Sequence, residues 1–111
     1  MEDFKIIYRI LNAIIAYEKA EEKDLIRFSP EVLKTTAENR DRLITKLVKD
    51  GYVDGMTIIS GIDNAPAPVI LWHSSNPTIT IKGMEYLEQN SMMQKAKHIA
   101  RDIIDIAGHH I

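Results

Sequence analysis

The chain has 111 residues, of which 45% are hydrophobic and 27% charged, with a formal net charge of −2. This length and composition predict one globular domain with its own core. The absence of cysteine excludes disulfides, thiol nucleophiles and cysteine metal sites, and suits a cytoplasmic location. Because the protein as a whole is slightly acidic, any affinity for nucleic acid must come from a local basic patch.

A first helix is predicted over Asp3–Ala20, with Asp3 as its N-cap. Apolar residues cover well over half of its helical wheel. The narrow polar edge consists of Lys5, Arg9, Asn12 and Lys19. A helix this apolar is covered on two sides, so we expect a central core helix; its charged and polar interruptions make it unsuitable as a membrane span.

A helix-turn-helix is predicted after a charged connector, Glu18–Arg27. Ser29 is placed to cap a short second helix from Pro30 to about Lys34, with proline at the first helical position, where its missing amide costs nothing. That helix runs directly into a third, longer one.

The third helix is predicted to start at a capping box formed by Thr35 and Glu38 and to stop at Gly51, which can adopt positive φ. At 100° per residue, Arg40 points sideways toward the apolar edge. The inward face is predicted to contain Ala37, Leu43, Ile44, Leu47 and Val48.

Three basic residues of the third helix fall together on its outward face: Arg42, Lys46 and Lys49. Asn39 and Thr45 lie beside them. The third helix of the chain is the second helix of the predicted helix-turn-helix, and basic residues on the outward face of that helix are typical of a recognition helix. These five residues are therefore the candidate DNA contacts. The alternative is an ordinary solvated face.

Two β-prone runs, Tyr52–Ile59 and Val69–His73, flank the turn-rich segment Ser60–Pro68. They predict a hairpin, which after a helix-turn-helix would be a wing. From Asp50 to Ile81 there is no lysine or arginine. A wing that grips phosphate normally supplies basic residues, so this gap counts against DNA binding.

The uncharged hairpin suggests a different role, a protein-contact module that does not bind DNA. Aromatic and apolar residues are favoured at protein interfaces. The candidate contact residues are Ile62, Pro66, Pro68 and Trp72. For the tryptophan, a position in the core is the competing interpretation.

Two more helices are predicted after a loop at Ser74–Thr78. Thr80 can cap the first of them, Ile81–Gln89. Its inward residues are predicted to be Ile81, Met84 and Leu87. The second, from Met92 to about Ala107, is amphipathic, and we expect its apolar stripe to pack on the first helix. This packing can occur within one chain or across a homodimer.

The order of these elements is that of a bacterial winged-helix domain. The segment Thr78–Leu87 resembles the L-T-x-x-G-x-x-Y-L ending of winged-helix regulators. Together with FKIIYRILNAI near the start and KAKHIARDIIDI near the end, it is similar to the YjcQ-like family of small bacterial and prophage proteins. The resemblance covers nearly the whole chain, implies a winged-helix fold and brings no functional residues with it.

No catalytic or metal motif is recognisable. The four histidines, His73, His98, His109 and His110, lack any metal-ligand spacing. No serine lies in a G-x-S-x-G context, and there is no phosphate-binding glycine loop. We therefore expect no enzyme, metal or cofactor.

The sequence thus predicts a mainly helical α+β fold: a winged helix-turn-helix over residues 1–90, with a further C-terminal helix over 91–111 in the same domain. A transcriptional regulator that binds duplex DNA is the first functional expectation, and a protein-contact module is the alternative.

Overall fold

The computed structural model describes residues 2–59 and 68–90. These residues form four α-helices, two 3₁₀ turns and four short strands. In chain order they are α1 (Glu2–Lys19), a 3₁₀ turn (Leu25–Phe28), α2 (Pro30–Leu33), α3 (Ala37–Lys49), β1 (Val53–Asp54), β2 (Ile58–Ile59), β3 (Val69–Ile70), a second 3₁₀ turn (Trp72–Ser74), β4 (Thr78–Ile79) and α4 (81–90).

Helix α1 is the central helix of the core, as its apolar wheel predicts. Ile10, Leu11 and Ile14 are almost completely buried on it, and α1 packs against α2, α3 and β4. The predicted capping role of Asp3 is wrong, because this residue lies inside the helix. At the other end, the Lys23 ammonium donates hydrogen bonds to the carbonyls of Tyr17 and Glu18, both at 2.7 Å. These bonds supply a donor to carbonyl groups in the last turn, where the regular helical hydrogen bonds come to an end.

The charged connector is more ordered than its composition suggests. Asp24 caps the first 3₁₀ turn by accepting a hydrogen bond from the Ile26 amide at 3.0 Å. The turn ends at Phe28, which is 2% exposed and stacks at an angle on Tyr17 with the ring centroids 5.5 Å apart. A core residue therefore lies directly after the predicted solvated segment.

Helix α2 begins as predicted, with the Ser29 hydroxyl accepting from the Val32 amide at 3.3 Å. It ends at Leu33, and Lys34 adopts the left-handed conformation with φ 58°. This residue reverses the chain between α2 and α3. A non-glycine residue here is strained, since left-handed backbone crowds Cβ against the carbonyl oxygen.

Helix α3 starts one residue later than the capping box predicts. Thr36, not Thr35, is the N-cap, and its hydroxyl accepts from the Asn39 amide at 3.1 Å. Gly51 takes φ 85° and ends the helix as expected. Leu43, Ile44 and Leu47 are buried and Val48 is half-buried, all as predicted, whereas Ala37 is exposed, because it lies in the first turn beyond the edge of the core.

Among the described residues, two two-stranded antiparallel sheets follow α3, and we call their four strands together the ribbon. β2 pairs with β3, joining Ile58 to Ile70, and β1 pairs with β4, joining Val53 to Ile79. The predicted hairpin is confirmed where β2 pairs with β3. The predicted β-prone run Val69–His73 is too long, because Trp72 and His73 lie in the second 3₁₀ turn, and the predicted loop Ser74–Thr78 is wrong at its end, because Thr78 belongs to β4. The second 3₁₀ turn interrupts the returning arm between its two pairing regions. The hairpin tip lies outside the described residues.

The Thr80 hydroxyl caps α4 by accepting from the Gly83 amide at 3.1 Å. Leu87 is buried as predicted, but Ile81 and Met84 are 74% and 50% exposed. The face turned inward contains Gly83, where an added Cβ would lie 2.4 Å from the Tyr52 carbonyl oxygen. This close approach, which only glycine allows, rotates the helix away from the predicted orientation.

The architecture is a mainly helical α+β fold, as expected. Its core joins α1, the first 3₁₀ turn, α2, α3, the ribbon and α4 in one cluster. The winged-helix assignment stays a prediction. So does the packing of a last helix on α1, since residues 91–111 lie outside the described part of the chain.

Candidate nucleic-acid interface

The structure places the side chains of Arg42, Lys46 and Lys49 on the solvent side of α3. We call these three residues the basic row. Their spacing of three and four residues aligns them along one face of the helix. The row is the positive surface that the sequence predicts on this helix, and the buried residues on the opposite side of α3 hold it in place.

Arg42 is not free within this row. Its Nη2 atom lies 3.0 Å from Oδ2 of Asp3 in the first turn of α1. Its Nε atom also donates to Oδ1 of Asn39 at 3.0 Å. The hydrogen bond from Arg42 lowers the pKa of the Asp3 carboxyl, and the charges of Arg42 and Lys46 lower it further. One edge of the guanidinium is thus occupied by two acceptors.

The two polar residues beside the row also have partners. Asn39 accepts from Arg42 through its carbonyl oxygen and donates through its amide nitrogen to the Thr35 hydroxyl at 3.0 Å. Thr45 donates its hydroxyl proton to the Asp41 carbonyl oxygen at 2.7 Å, one turn earlier on α3. Thr45 is thus tied to its own helix, whereas Asn39 is oriented near the helix start, where base edges are usually met.

Lys46 and Lys49 form no ion pair within residues 2–59 and 68–90. A further cation, Lys82 on α4, lies near this end of α3 without any signal in the sequence pattern. Its ammonium donates to the Asp50 carbonyl oxygen at 2.8 Å and lies 4.6 Å from the centre of the Tyr52 ring. Lys82 therefore adds a positive charge at the C-terminal end of α3. Only the folding of α4 against this end could reveal it.

Arg40 lies on the other side of α3, toward the apolar edge as predicted. Its Nη1 atom donates to the Phe28 carbonyl oxygen at 3.0 Å, and its Nε atom pairs with Asp41 at 2.9 Å. The guanidinium also lies 4.9 Å from the centre of the Trp72 ring. Only 14% of this side chain is exposed. Arg40 connects α3 to the returning arm of the ribbon and is no part of the basic row.

The predicted protein-contact residues divide into two groups. Ile62 and Pro66 lie outside the described residues, whereas Pro68 is half-buried at the base of the tip. The Trp72 ring packs against the core, 5.4 Å from the Phe28 ring centroid, and its buried Nε1 atom has no hydrogen-bond partner among the described residues. The exposed apolar side chains of the ribbon are instead Ile59, Val69 and Leu71.

A separate groove of about 440 Å³ opens between α1, the first 3₁₀ turn and α2. Ile26 and Val32 border it and are 64% and 55% exposed. Arg9 and Arg27 add positive charge to its lining. No carboxylate, histidine or thiol lies among its described lining residues.

The described residues contain no cluster of histidines and carboxylates that could hold a metal ion. Of the four histidines, only His73 is described, and it is exposed; His98, His109 and His110 lie outside the described residues. No helix in the described ranges is long and apolar enough to cross a membrane.

These elements define a small, mainly helical α+β protein with a basic helix face and an antiparallel ribbon that contains no lysine or arginine. The chain belongs to the YjcQ protein family, whose sequence model matches residues 8–106. The resemblance noted in the sequence is therefore confirmed over nearly the whole chain. No curated protein and no solved structure matches it.

Proposed function

We propose that this protein is a DNA-binding winged-helix protein that acts as a transcriptional regulator of bacterial or prophage origin, in the cytoplasm. The observation that supports this function best is the basic row, which lies on the solvent side of α3, the second helix of the predicted helix-turn-helix. Phosphate groups are contacted by such lysine and arginine side chains, and base edges by residues near the helix start. Arg42, Lys46 and Lys49 would contact phosphate, and Asn39 would lie nearest the bases.

The binding we propose is weak for a single chain. Three row residues and Lys82 would neutralise about four phosphates, which gives a log-log salt slope of about −3 to −4. The ribbon adds no lysine or arginine between Asp50 and Ile81. A homodimer formed through the first and last helices would double the number of phosphate contacts and bring affinity into a useful range.

The test is retention of the protein on duplex DNA or heparin at low salt. We expect the combined substitution of Arg42, Lys46 and Lys49 by alanine to abolish retention, because it removes most of the proposed phosphate contacts. Circular dichroism should show an unchanged fold, since all three side chains are exposed.

The matched control removes three positive charges elsewhere, at Lys5, Lys19 and Arg27, which are exposed and lie outside α3. We expect this variant to stay close to wild type in retention. Equal losses in the two variants would mean that overall charge determines retention, and failure of wild type to bind would refute the proposed function.

The second candidate function is a protein-contact module. It is supported by three exposed apolar side chains of the ribbon: Ile59 on β2, Val69 on β3 and Leu71 directly after β3. If the protein has this second function, it would not be retained on duplex DNA. A pull-down performed with nucleic acid present would instead recover a partner protein. Substituting Val69 and Leu71 by serine should then abolish recovery, whereas the alanine variant of the basic row should not.

A further inference from the structure

The contact between α1 and α3 joins an acidic residue to the proposed DNA surface. Asp3 and Arg42 are 39 residues apart in sequence, yet their side chains form an ion pair with Oδ2 and Nη2 at 3.0 Å. Asp3 is inside the first turn of α1, and Arg42 is in the middle of α3. The packing of α1 on α3 therefore brings a carboxylate to the outer face of the helix-turn-helix.

The carboxylate occupies the atoms that a phosphate would need. A guanidinium binds a phosphate best through two parallel hydrogen bonds from one of its edges. In Arg42, the edge formed by Nε and Nη2 already donates to Asn39 and Asp3. Asp3 presents two charged oxygens, as a phosphate does, and so is a chemical equivalent of the ligand.

The charge of Asp3 also acts on the neighbouring lysine. Arg42 and Lys46 both lower the pKa of the Asp3 carboxyl, so the group is ionised at neutral pH and lies within range of both cations. A DNA phosphate that approaches these two residues meets a fixed negative charge. Because like charges repel, a phosphate binds less favourably at a site that already holds the negative charge of Asp3.

From this geometry we infer that Asp3 is an intramolecular competitor for DNA phosphate at Arg42, and that it limits the affinity of the basic row. The inference rests on the proposed DNA-binding function and adds its regulation. Asp3 and Arg42 are 49% and 44% exposed, so solvent screens the pair and a phosphate can displace it. Asp3 therefore reduces affinity and does not abolish binding.

The experiment compares duplex DNA binding by wild type, Asp3→Asn and Glu38→Gln at the same low salt concentration. Asp3→Asn keeps the shape of the side chain and removes its charge. Glu38 is the matched control, because it is exposed in the first turn of α3, one turn before Arg42, and forms no ion pair in the described ranges. We expect Asp3→Asn to bind about three- to fivefold more tightly than wild type, and clearly more tightly than Glu38→Gln.

A second arm repeats both substitutions in an Arg42→Gln background. If Asp3 acts through Arg42, Asp3→Asn should bind duplex DNA no more tightly than Glu38→Gln in this background. Equal effects of the two substitutions in the wild-type background would overturn the inference and leave the proposed function intact. Absence of binding by every variant would refute the proposed function and the competitor with it. Binding by Asp3→Asn alone would support both.

Discussion

Arg40 and Arg42 are two residues apart on α3, yet they lie in very different regions. Arg40 is enclosed between the Phe28 carbonyl, Asp41 and the Trp72 ring, with 14% of its side chain exposed. Arg42 faces solvent and contacts Asp3 in a pair that is nearly half exposed on both sides. The same type of side chain therefore connects elements of the fold at Arg40 and forms an exchangeable surface contact at Arg42.

The difference between the two regions follows from helical geometry. A step of two residues turns the side chain by about 200°, from the ribbon side of α3 to its outer side. Removal of solvent strengthens the contacts of Arg40, while solvent weakens those of Arg42. We therefore assign stability to the Arg40 region and ligand binding to the Arg42 region, and three predictions test this assignment.

The largest effect is expected for Phe28, whose ring contacts both Tyr17 and Trp72 in the Arg40 region. Phe28→Ala should lower the free energy of unfolding by about 3 kcal/mol or more, because it leaves a cavity in the core. Urea denaturation followed by circular dichroism measures this. Phe4→Ala is the matched control, since Phe4 is 54% exposed on α1 and its truncation leaves no cavity. Similar losses in the two variants would contradict the assignment.

A smaller effect is expected for the arginines themselves. Arg40→Ala should lower the free energy of unfolding by about 2 kcal/mol, because it leaves the Phe28 carbonyl and the Trp72 ring without their charged partner. Arg42→Ala should unfold at nearly the urea concentration of wild type. If Arg42→Ala is the more destabilised variant, the two regions have been assigned the wrong way round.

The smallest effect concerns pH. Because Arg42 lowers the pKa of Asp3 in the folded protein, the pair stabilises the fold above the ordinary pKa of an aspartate. This contribution is lost as the pH falls through the lowered value. Carboxyl carbon chemical shifts in an NMR titration should show Asp3 titrating below the ordinary aspartate range in wild type, and closer to it in Arg42→Ala. An unchanged Asp3 titration in that variant would mean that the pair does not persist in solution.

The sequence determined the local features of this protein. Ser29 caps α2, Gly51 ends α3, and the 100° periodicity places Leu43, Ile44 and Leu47 in the core. The same periodicity places the basic row on solvent. Each of these features depends on residues within a few positions of one another, so a pattern in the chain is enough to predict it.

Tertiary structure decided the contacts between distant segments. The sequence gives no sign that Asp3 meets Arg42, that Trp72 lies over Arg40, or that Lys82 reaches the Asp50 carbonyl. It also misplaced Ile81, because the close contact of α4 with β4 and Tyr52 rotates that helix. Such contacts depend on how whole elements are oriented on one another, and periodicity within one element does not contain that information.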